Sequence, residues 1–462
     1  MLGELTTSPR RRVIFTGFTY VACVRGPIAA IDRACAHSVL APGPTVCAVH
    51  RDTRPGSVVP VINVSGADAG GALRIVIALD SFKGSVTSAQ ACAAVRIAVL
   101  RAVPDAVVTV IPVADGGEGT LDALAWLGVA DEVETVDLLG RPLLAAYLTL
   151  GDSTVIESAT TLGLGLLGEP SPATARAAHS YGLGLQMVHI LTREAPTRLL
   201  VGLGGTGCTD GGTGLLLALG ARMWDASGTE LFAGGMVPGS NPLLALPVRV
   251  ELPAALPCEV IGLADVTSPL LGPSGAARMF GPQKGADAAL VERLEPAMED
   301  WATALRAEGA DVADVPGAGA AGGLGAALLA LGGSVEPGLE RIVAETGAGE
   351  ALAGADLVFT GEGSLDAQTG MGKVPDAIAR LAKAGARSGT DGARIPLVIA
   401  LAGIVEGDSH GAIDAAYCIH SRPRPLAEAM DPAVTLAELS ATAERAVREW
   451  MVAAKNCDSQ GD

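Results

Sequence analysis

Three of the five lysines in this sequence stand beside a glycine. Lys83, Lys284 and Lys373 occur in the segments SFKGS, GPQKGA and GMGKV, although Lys and Arg together number 32. A lysine is a compact point charge that suits phosphate oxygens, and a neighbouring glycine lets backbone N–H groups approach the same ligand. Solvated loop lysines are the alternative. Because the context recurs in three of five lysines, phosphate contact is the favoured interpretation.

Carboxylates recur in the same kind of position, at or shortly after the ends of apolar runs. Phosphoryl transfer uses such groups to hold Mg²⁺ and to take the proton of the acceptor hydroxyl. The alternative role is capping of the helix that follows, which Asp80 and Asp210 could each perform. The set consists of Asp80, Asp115, Glu118, Asp210, Asp265, Glu362 and Asp366.

The elements that carry these residues follow a regular pattern from Leu73 onward. Short apolar runs such as RIVIAL, VVTVIPV and ADLVFT alternate with helical stretches. This alternation predicts an α/β fold with a mainly parallel sheet of the Rossmann/flavodoxin-like kind. Ligands of such sheets bind beyond the carboxyl ends of the strands, where the polar residues lie. The length of 462 residues predicts two domains.

Composition excludes several classes of function. The formal net charge of −18 argues against nucleic acid or an anionic membrane as a partner, because both require a basic face. No apolar run reaches the length of a membrane span. The eight cysteines are scattered, without a CxxC pair or a His/Cys cluster. This usage predicts a cytoplasmic protein without disulfides or a zinc site.

The first 72 residues differ from the rest of the chain. They contain seven arginines and four acidic residues, and their proline and glycine content leaves no sustained apolar period. We expect residues 1–72 to be either a disordered extension or the product of a start codon assigned too far upstream.

A glycine motif supports a rival function. Gly202, Gly204 and Gly207 form GxGxxG after an apolar run, and Asp225 lies where a ribose-binding acid is expected in a dinucleotide site. GLGLLG and GAGAAG satisfy the same pattern, so chance matches are expected among 60 glycines. An NAD-dependent oxidoreductase is kept as the less favoured alternative. No Walker A loop occurs.

The segments that carry chemistry resemble, in order, those of the type-1 glycerate kinase family. They are ALDSFKGS, PVADGGEGT, DVTSPLLG, GPQKGA, PGAGAAGG, TGEGSLDAQ, GKVP and IALAG. The resemblance covers about Leu73 to about Gly403. It implies ATP-dependent phosphorylation of D-glycerate, with two α/β domains and a cleft between them. The expected first domain combines residues 73–135 with 286–455, and residues 136–285 form an inserted second domain.

The resemblance also implies roles for particular residues. The expected catalytic residues are Asp80, Lys83 and Asp210, with Asp80 or Asp210 as the base. The expected residues for ATP are Ser81, Gly84, Ser85, Gly204, Gly205, Thr206, Lys284, Gly322, Gly323 and Lys373. The expected Mg²⁺ ligands are Asp115, Glu118 and Glu362.

The chain departs from the family pattern at several positions near these segments. Thr209 stands where the family has Asn, Ser364 where it has Arg, and His179 where it has Thr. Asn and Arg suit a carboxylate substrate, so a non-catalytic relative that binds glycerate or nucleotide is a further alternative. Arg141, Arg176 or Arg278 are candidate replacements for the missing Arg. The acceptor hydroxyl, at C2 or C3, and the oligomeric state stay open.

Overall fold

The computed structural model describes residues 72–82, 84–111, 113, 115–365, 374–388, 395–406, 411–422 and 424–458. The expected N-terminal extension up to residue 71 lies outside these described residues, as do Lys83, Asp366 and Lys373. Within the described ranges, no helix is both long enough and apolar enough to cross a membrane.

Strands and helices make up most of the described part of the polypeptide. The strands are β1 (Arg74–Leu79), β2 (Val107–Val110), β3 (Val129–Val136), β4 (Pro142–Leu150), β5 (Ser153–Glu157), β6 (Arg198–Gly202), β7 (Arg222–Trp224), β8 (Glu230–Leu231), β9 (Arg249–Glu251), β10 (Glu259–Leu263), β11 (Ser334–Glu336), β12 (Leu357–Leu365), β13 (Leu397–Val405) and β14 (Ala415–Cys418). The helices are α1 (Ser88–Ala102), α2 (Thr120–Leu124), α3 (Ser158–Leu162), α4 (Pro172–Ala177), α5 (Tyr181–Arg193), α6 (Thr213–Ala218), α7 (Ala288–Ala307), α8 (Ala320–Ala330), α9 (Gly338–Thr346), α10 (Ala348–Ala353), α11 (Val374–Ser388), α12 (Leu426–Ala429) and α13 (Pro432–Asp458).

The first sheet is parallel throughout, in the order β14-β13-β12-β1-β2. Its central strand β1 is a continuous apolar run, since helices cover both faces. The side chains of β1 alternate between these faces: Ile75 and Ile77 pack with α1 and α13, whereas Val76 and Ala78 pack with α9, α10 and α11. Helix α1 begins at a capping box between Thr87 and Gln90.

The second sheet has six strands in the order β11-β10-β6-β5-β4-β3. Strands β5, β6, β10 and β11 are parallel, and β3 and β4 add an antiparallel edge. A large buried apolar core joins this sheet to α5, α6, α7 and α8. A third sheet, small and antiparallel, has the order β8-β7-β9, and its residues Met223 and Val250 belong to the same core. The predicted α/β fold with mainly parallel sheets is therefore confirmed, and the antiparallel edge is an addition to it.

Sheet and core membership differ from the expected domain boundaries at two places. Strand β3 spans the boundary at residue 135, yet it pairs with β4 along its whole length. Helices α7 and α8 lie beyond residue 285, but Trp301 and Leu328 share a buried core with Leu199 of β6. The apolar faces of these helices are buried against the second sheet, which favours placing both helices in the second domain. We therefore propose that the second domain extends over residues 129–336.

Candidate active site

The carboxyl ends of strands from both sheets meet at one cavity of about 1160 Å³. Asp80 follows β1 and Asp115 follows β2 in the first sheet, and Glu362 lies in the last half of β12. Asp265 follows β10 of the second sheet and lines the same cavity. Parallel strands deliver the residues after their carboxyl ends to one edge of a sheet, which explains the convergence.

The Asp265 carboxyl of this cavity lies close to other negative charges. Burial, together with the negative charges of Asp115, Glu340 and Asp80, raises the pKa of this carboxyl to about 6. The backbone N–H of Gly338 donates to Asp265 Oδ1 at 3.2 Å, and this hydrogen bond lowers the pKa of the carboxyl. A cation held between these carboxylates would remove the repulsion.

The donor set suits Mg²⁺, which takes one or two protein carboxylates together with phosphate oxygens and water. Within the described residues, no group of three or more His, Cys, Asp or Glu side chains is arranged to hold a metal by itself. The carboxylates that line the cavity match the one or two protein ligands that such an ion takes. Of the expected ligands, Asp115 and Glu362 line the cavity. Glu118 is exposed and lies beside Gly205, outside the cavity lining.

The segment after β1 forms a tight loop against the cavity. Ser81 and Ser85 line it, and the Ser85 hydroxyl lies 2.7 Å from Thr435 Oγ1. Gly84 has a φ of +77°, and an added Cβ would lie 2.3 Å from Met430 Cε. The positive φ favours glycine at position 84, whereas the end of the flexible Met430 side chain can move to make room for a Cβ. Lys83, the expected phosphate contact of this loop, lies outside the described residues.

Asp210 is fully buried, away from the lining of the cavity. Its carboxylate accepts hydrogen bonds from the backbone N–H and the hydroxyl of Ser180, both at 2.7 Å. It also accepts from the N–H groups of Gly212 at 3.1 Å and Gly214 at 3.2 Å. Asp210 thus joins the starts of α5 and α6. Both of its carboxylate oxygens accept hydrogen bonds from buried groups.

Lys284 is also buried, with 3% of its surface exposed. Its Nζ donates to Thr206 Oγ1 at 3.1 Å and to the Cys208 carbonyl at 2.7 Å. Burial lowers the pKa of this ammonium group, and the negative charge of Asp210 partly restores it. Lys284 therefore holds the glycine-rich loop 204–212 in place, and it does not line the cavity.

Several glycines expected at the nucleotide site lie close to protein backbone. Gly322 and Gly323 have φ values of +74° and +96°. An added Cβ at Gly322 would lie 2.2 Å from the Cys208 carbonyl oxygen, and one at Gly204 would lie 2.4 Å from Gly117 Cα. The glycine-rich segments therefore pack on one another. Of the residues in loop 204–212 that were expected to contact ATP, Gly205 is the exposed one.

The positions that depart from the family pattern have different surroundings. His179 Nε2 and Thr209 Oγ1 are buried without a hydrogen-bond partner within the described part of the chain. Ser364 lines the cavity, whereas Arg141, Arg176 and Arg278 do not. The arginines of the cavity are Arg422 and Arg424, which the sequence analysis did not single out. The sequence feature that could have indicated them is the basic segment HSRPRP, shortly after β14.

Glu157 is a second residue that sequence reasoning missed. It ends β5, is 5% exposed, and accepts hydrogen bonds from the backbone N–H groups of Gly119 in the ADGGEGT loop and of Leu121 in α2. Burial raises the pKa of this carboxyl to about 7, with smaller contributions from Asp122 and Glu118. The sequence indicated Glu157 only by its position, as an acidic residue at the end of the strand-like run STVI.

The raised pKa of Glu157 predicts a pH-dependent stability. A carboxyl whose pKa is higher in the folded protein than its ordinary value of 4.5 takes up a proton on folding. Stability is therefore lost as the pH rises from about 4.5 through about 7. We expect the unfolding free energy of Glu157→Gln, which keeps an acceptor oxygen for one of the two N–H groups, to increase relative to that of wild type between pH 5 and pH 8. Urea unfolding at several pH values measures the difference.

Glu230→Gln is the control for this experiment. Glu230 is partly exposed, and its hydrogen bond with Arg222 lowers the pKa of the carboxyl, so its substitution does not give the same trend. A stability difference for Glu157→Gln that stays constant over this pH range would contradict the account of the buried carboxyl.

Residues 75–451 match the model of the glycerate kinase family. The chain belongs to the glycerate kinase family. Glycerate 2-kinase of Escherichia coli K12 is 38% identical over 321 residues, which cover 67% of this chain and 82% of that protein. Glycerate kinase of Bacillus subtilis 168 is 36% identical over 385 residues, which cover 80% of this chain and 96% of that protein.

A solved structure agrees with these relatives. The crystal structure of a protein provisionally described as glycerate kinase 2, from Salmonella typhimurium LT2, superposes with a TM-score of 0.70 at 33% identity. The match covers 83% of this chain and all of that one. The chain is therefore an enzyme of the kinase class, and glycerate kinase membership, expected from the motif order, is confirmed.

The structural context of a dinucleotide motif is missing in this glycerate kinase family member. Gly202, Gly204 and Gly207 do follow a strand, but the helix after them has only six residues. Asp225 lies in an exposed turn between β7 and β8, where it accepts hydrogen bonds from Ser227 and Thr229. The Asp225 carboxylate is therefore engaged within its own turn. Neither this acid nor the short helix supports the oxidoreductase alternative.

Proposed function

We propose that this enzyme transfers the γ-phosphoryl group of ATP to D-glycerate with the help of Mg²⁺, as a type-1 member of the family. The observation that carries the proposal is the convergence of Asp80, Asp115 and Asp265 on one cavity from the ends of strands in both sheets. The order of the family segments supports the subtype. The E. coli relative is named for the 2-kinase activity, which supports the C2 hydroxyl as acceptor.

The proposed reaction is a direct displacement at phosphorus. The acceptor oxygen of glycerate forms a bond to the γ-phosphorus while the bond from that phosphorus to the β–γ bridging oxygen breaks, and ADP leaves. Asp80 takes the hydroxyl proton, because it lines the cavity whereas Asp210 is buried. Magnesium, when bound, neutralises charge on the transferring phosphate and its leaving group.

The remaining residues are assigned from their positions. Asp115 and Asp265 hold the metal, with Glu362 nearby, and the hydroxyls of Ser81 and Ser85 face the nucleotide. Lys83 and Lys373 remain proposed phosphate contacts on the strength of their sequence context. Lys284 is reassigned from phosphate contact to positioning of loop 204–212, since its ammonium group is engaged by Thr206 and Cys208.

A coupled assay of ADP release tests the proposal. With D-glycerate, ATP and Mg²⁺, we expect ADP to form at a rate that depends on the glycerate concentration, and a parallel absorbance assay with NAD to show no reduction. L-Glycerate and glycerate-free reactions serve as controls. Binding of glycerate or nucleotide without glycerate-dependent ADP release would instead support the non-catalytic alternative.

A further inference from the structure

We propose that the end of the cavity formed by Ile404, Leu426 and Met430, here called the apolar end, binds the nucleoside part of the nucleotide. This inference rests on the proposed function, and it divides the cavity into two subsites. Glycerate then occupies the opposite end, beside the acidic residues and the second sheet.

The first support is the exposure of apolar side chains that line the cavity. Leu426 is 70% exposed and Ile404 is 49% exposed, although both are large apolar side chains. Leu426 and Met430 stand four residues apart on one helical turn, joined by the hydrogen bond from the Met430 N–H to the Leu426 carbonyl. An apolar surface facing a ligand pocket favours a flat apolar group such as a nucleobase over a charged three-carbon acid.

The second support is the order of strands in the first sheet. Asp115 follows β2 at one edge, and Ile404 lies at the end of β13, three strand positions away in the order β13-β12-β1-β2. Neighbouring strands lie about 4.8 Å apart, so the two ends are separated by about 14 Å. Glycerate has only three carbons, joined by bonds of about 1.5 Å, and it cannot reach across this distance. A nucleoside triphosphate has the extended shape that the cavity requires.

The third support is the distribution of charge. Asp115 and Asp265 lie at the end that suits magnesium and the terminal phosphates. The apolar end instead carries Arg422, whose side chain is 69% exposed and makes one long ion pair with Glu428, at 3.5 Å. An exposed guanidinium group can stack on the ring of a nucleobase. A nucleotide laid along the cavity places its base away from the carboxylates and its phosphates toward them.

Cys418 gives a direct readout of occupancy, because it lines the cavity and is exposed. We expect MgADP to slow alkylation of Cys418 by iodoacetamide at least fivefold, and D-glycerate to slow it less than twofold, as measured by peptide mass spectrometry. Cys258, half-buried and outside the cavity lining, is the internal control. Protection by D-glycerate without protection by MgADP, or protection by neither, would overturn the proposal.

Kinetics provide the second test. We expect Leu426→Gln to raise KM for ATP about tenfold and to leave KM for D-glycerate within twofold of wild type. Leu144→Gln is the matched control, since Leu144 is 57% exposed on β4 and does not line the cavity. A rise in KM for D-glycerate alone would overturn the assignment. If the wild type releases no ADP with glycerate, the proposed function fails, while protection of Cys418 by MgADP still decides the nucleoside subsite.

Discussion

Asp115→Asn is expected to lower turnover by at least about a hundredfold, or about 2.7 kcal/mol of transition-state stabilisation, and to leave the melting temperature near that of wild type. Asp115 lines the cavity next to Asp265, where the proposed metal and phosphates bind. Its Oδ1 accepts the Gly117 N–H at 2.7 Å, and an Asn oxygen can keep this bond. The substitution therefore removes charge from the site while preserving the loop.

The control for Asp115→Asn is the same change at Asp225. Asp225 lies in an exposed turn far from the cavity lining and bonds Ser227 and Thr229, which Asn can also do. Steady-state rates and thermal melts of the two variants give the comparison. Turnover of Asp115→Asn within a few-fold of wild type would remove Asp115 from the reaction.

Asp210→Asn is expected to destabilise the fold by about 3 kcal/mol, with loss of activity as a consequence. The two oxygens of Asp210 face four buried donors, and an Asn would direct its NH₂ group at some of them. A buried donor left without an acceptor costs about 1–3 kcal/mol. The buried ammonium of Lys284 would also lose a compensating charge, which adds to the cost.

Asp287→Asn is the matched control for this prediction. Asp287 is an exposed N-cap of α7 that accepts the Leu290 N–H at 2.8 Å, and Asn serves almost as well in such a cap. Urea unfolding compares the two variants. A normal unfolding free energy for Asp210→Asn combined with absent turnover would restore Asp210 as the catalytic base.

The local pattern of the sequence was sufficient to predict the parallel strands and the acids at their ends. RIVIAL followed by Asp80 reads as a buried strand that delivers a carboxylate, and β1 does so. Asp265 follows β10 in the same manner. These features depend on residues that are close in sequence, so periodicity and the order of residue types can reveal them.

The roles of Asp210, Lys284 and the glycines could not be predicted in the same way. Lys284 is buried because Thr206 and Cys208, more than seventy residues away, surround its ammonium group. Gly322 lies against the backbone of Cys208, which is likewise far away in the sequence. A motif that suggests ligand contact by its composition can therefore be occupied by another protein segment, and only the tertiary structure distinguishes the two cases.

The most direct test of the central claim is ³¹P NMR of a reaction containing the enzyme, ATP, Mg²⁺ and D-glycerate. We predict that the γ-phosphate signal of ATP decreases while ADP and a new phosphomonoester appear in equal amounts. Phosphorylation of the C2 hydroxyl gives a doublet, because C2 carries one hydrogen, whereas phosphorylation of C3 gives a triplet. A triplet would move the acceptor to C3. Unchanged ATP, or formation of orthophosphate without a phosphomonoester, would contradict the claim that this cavity phosphorylates glycerate.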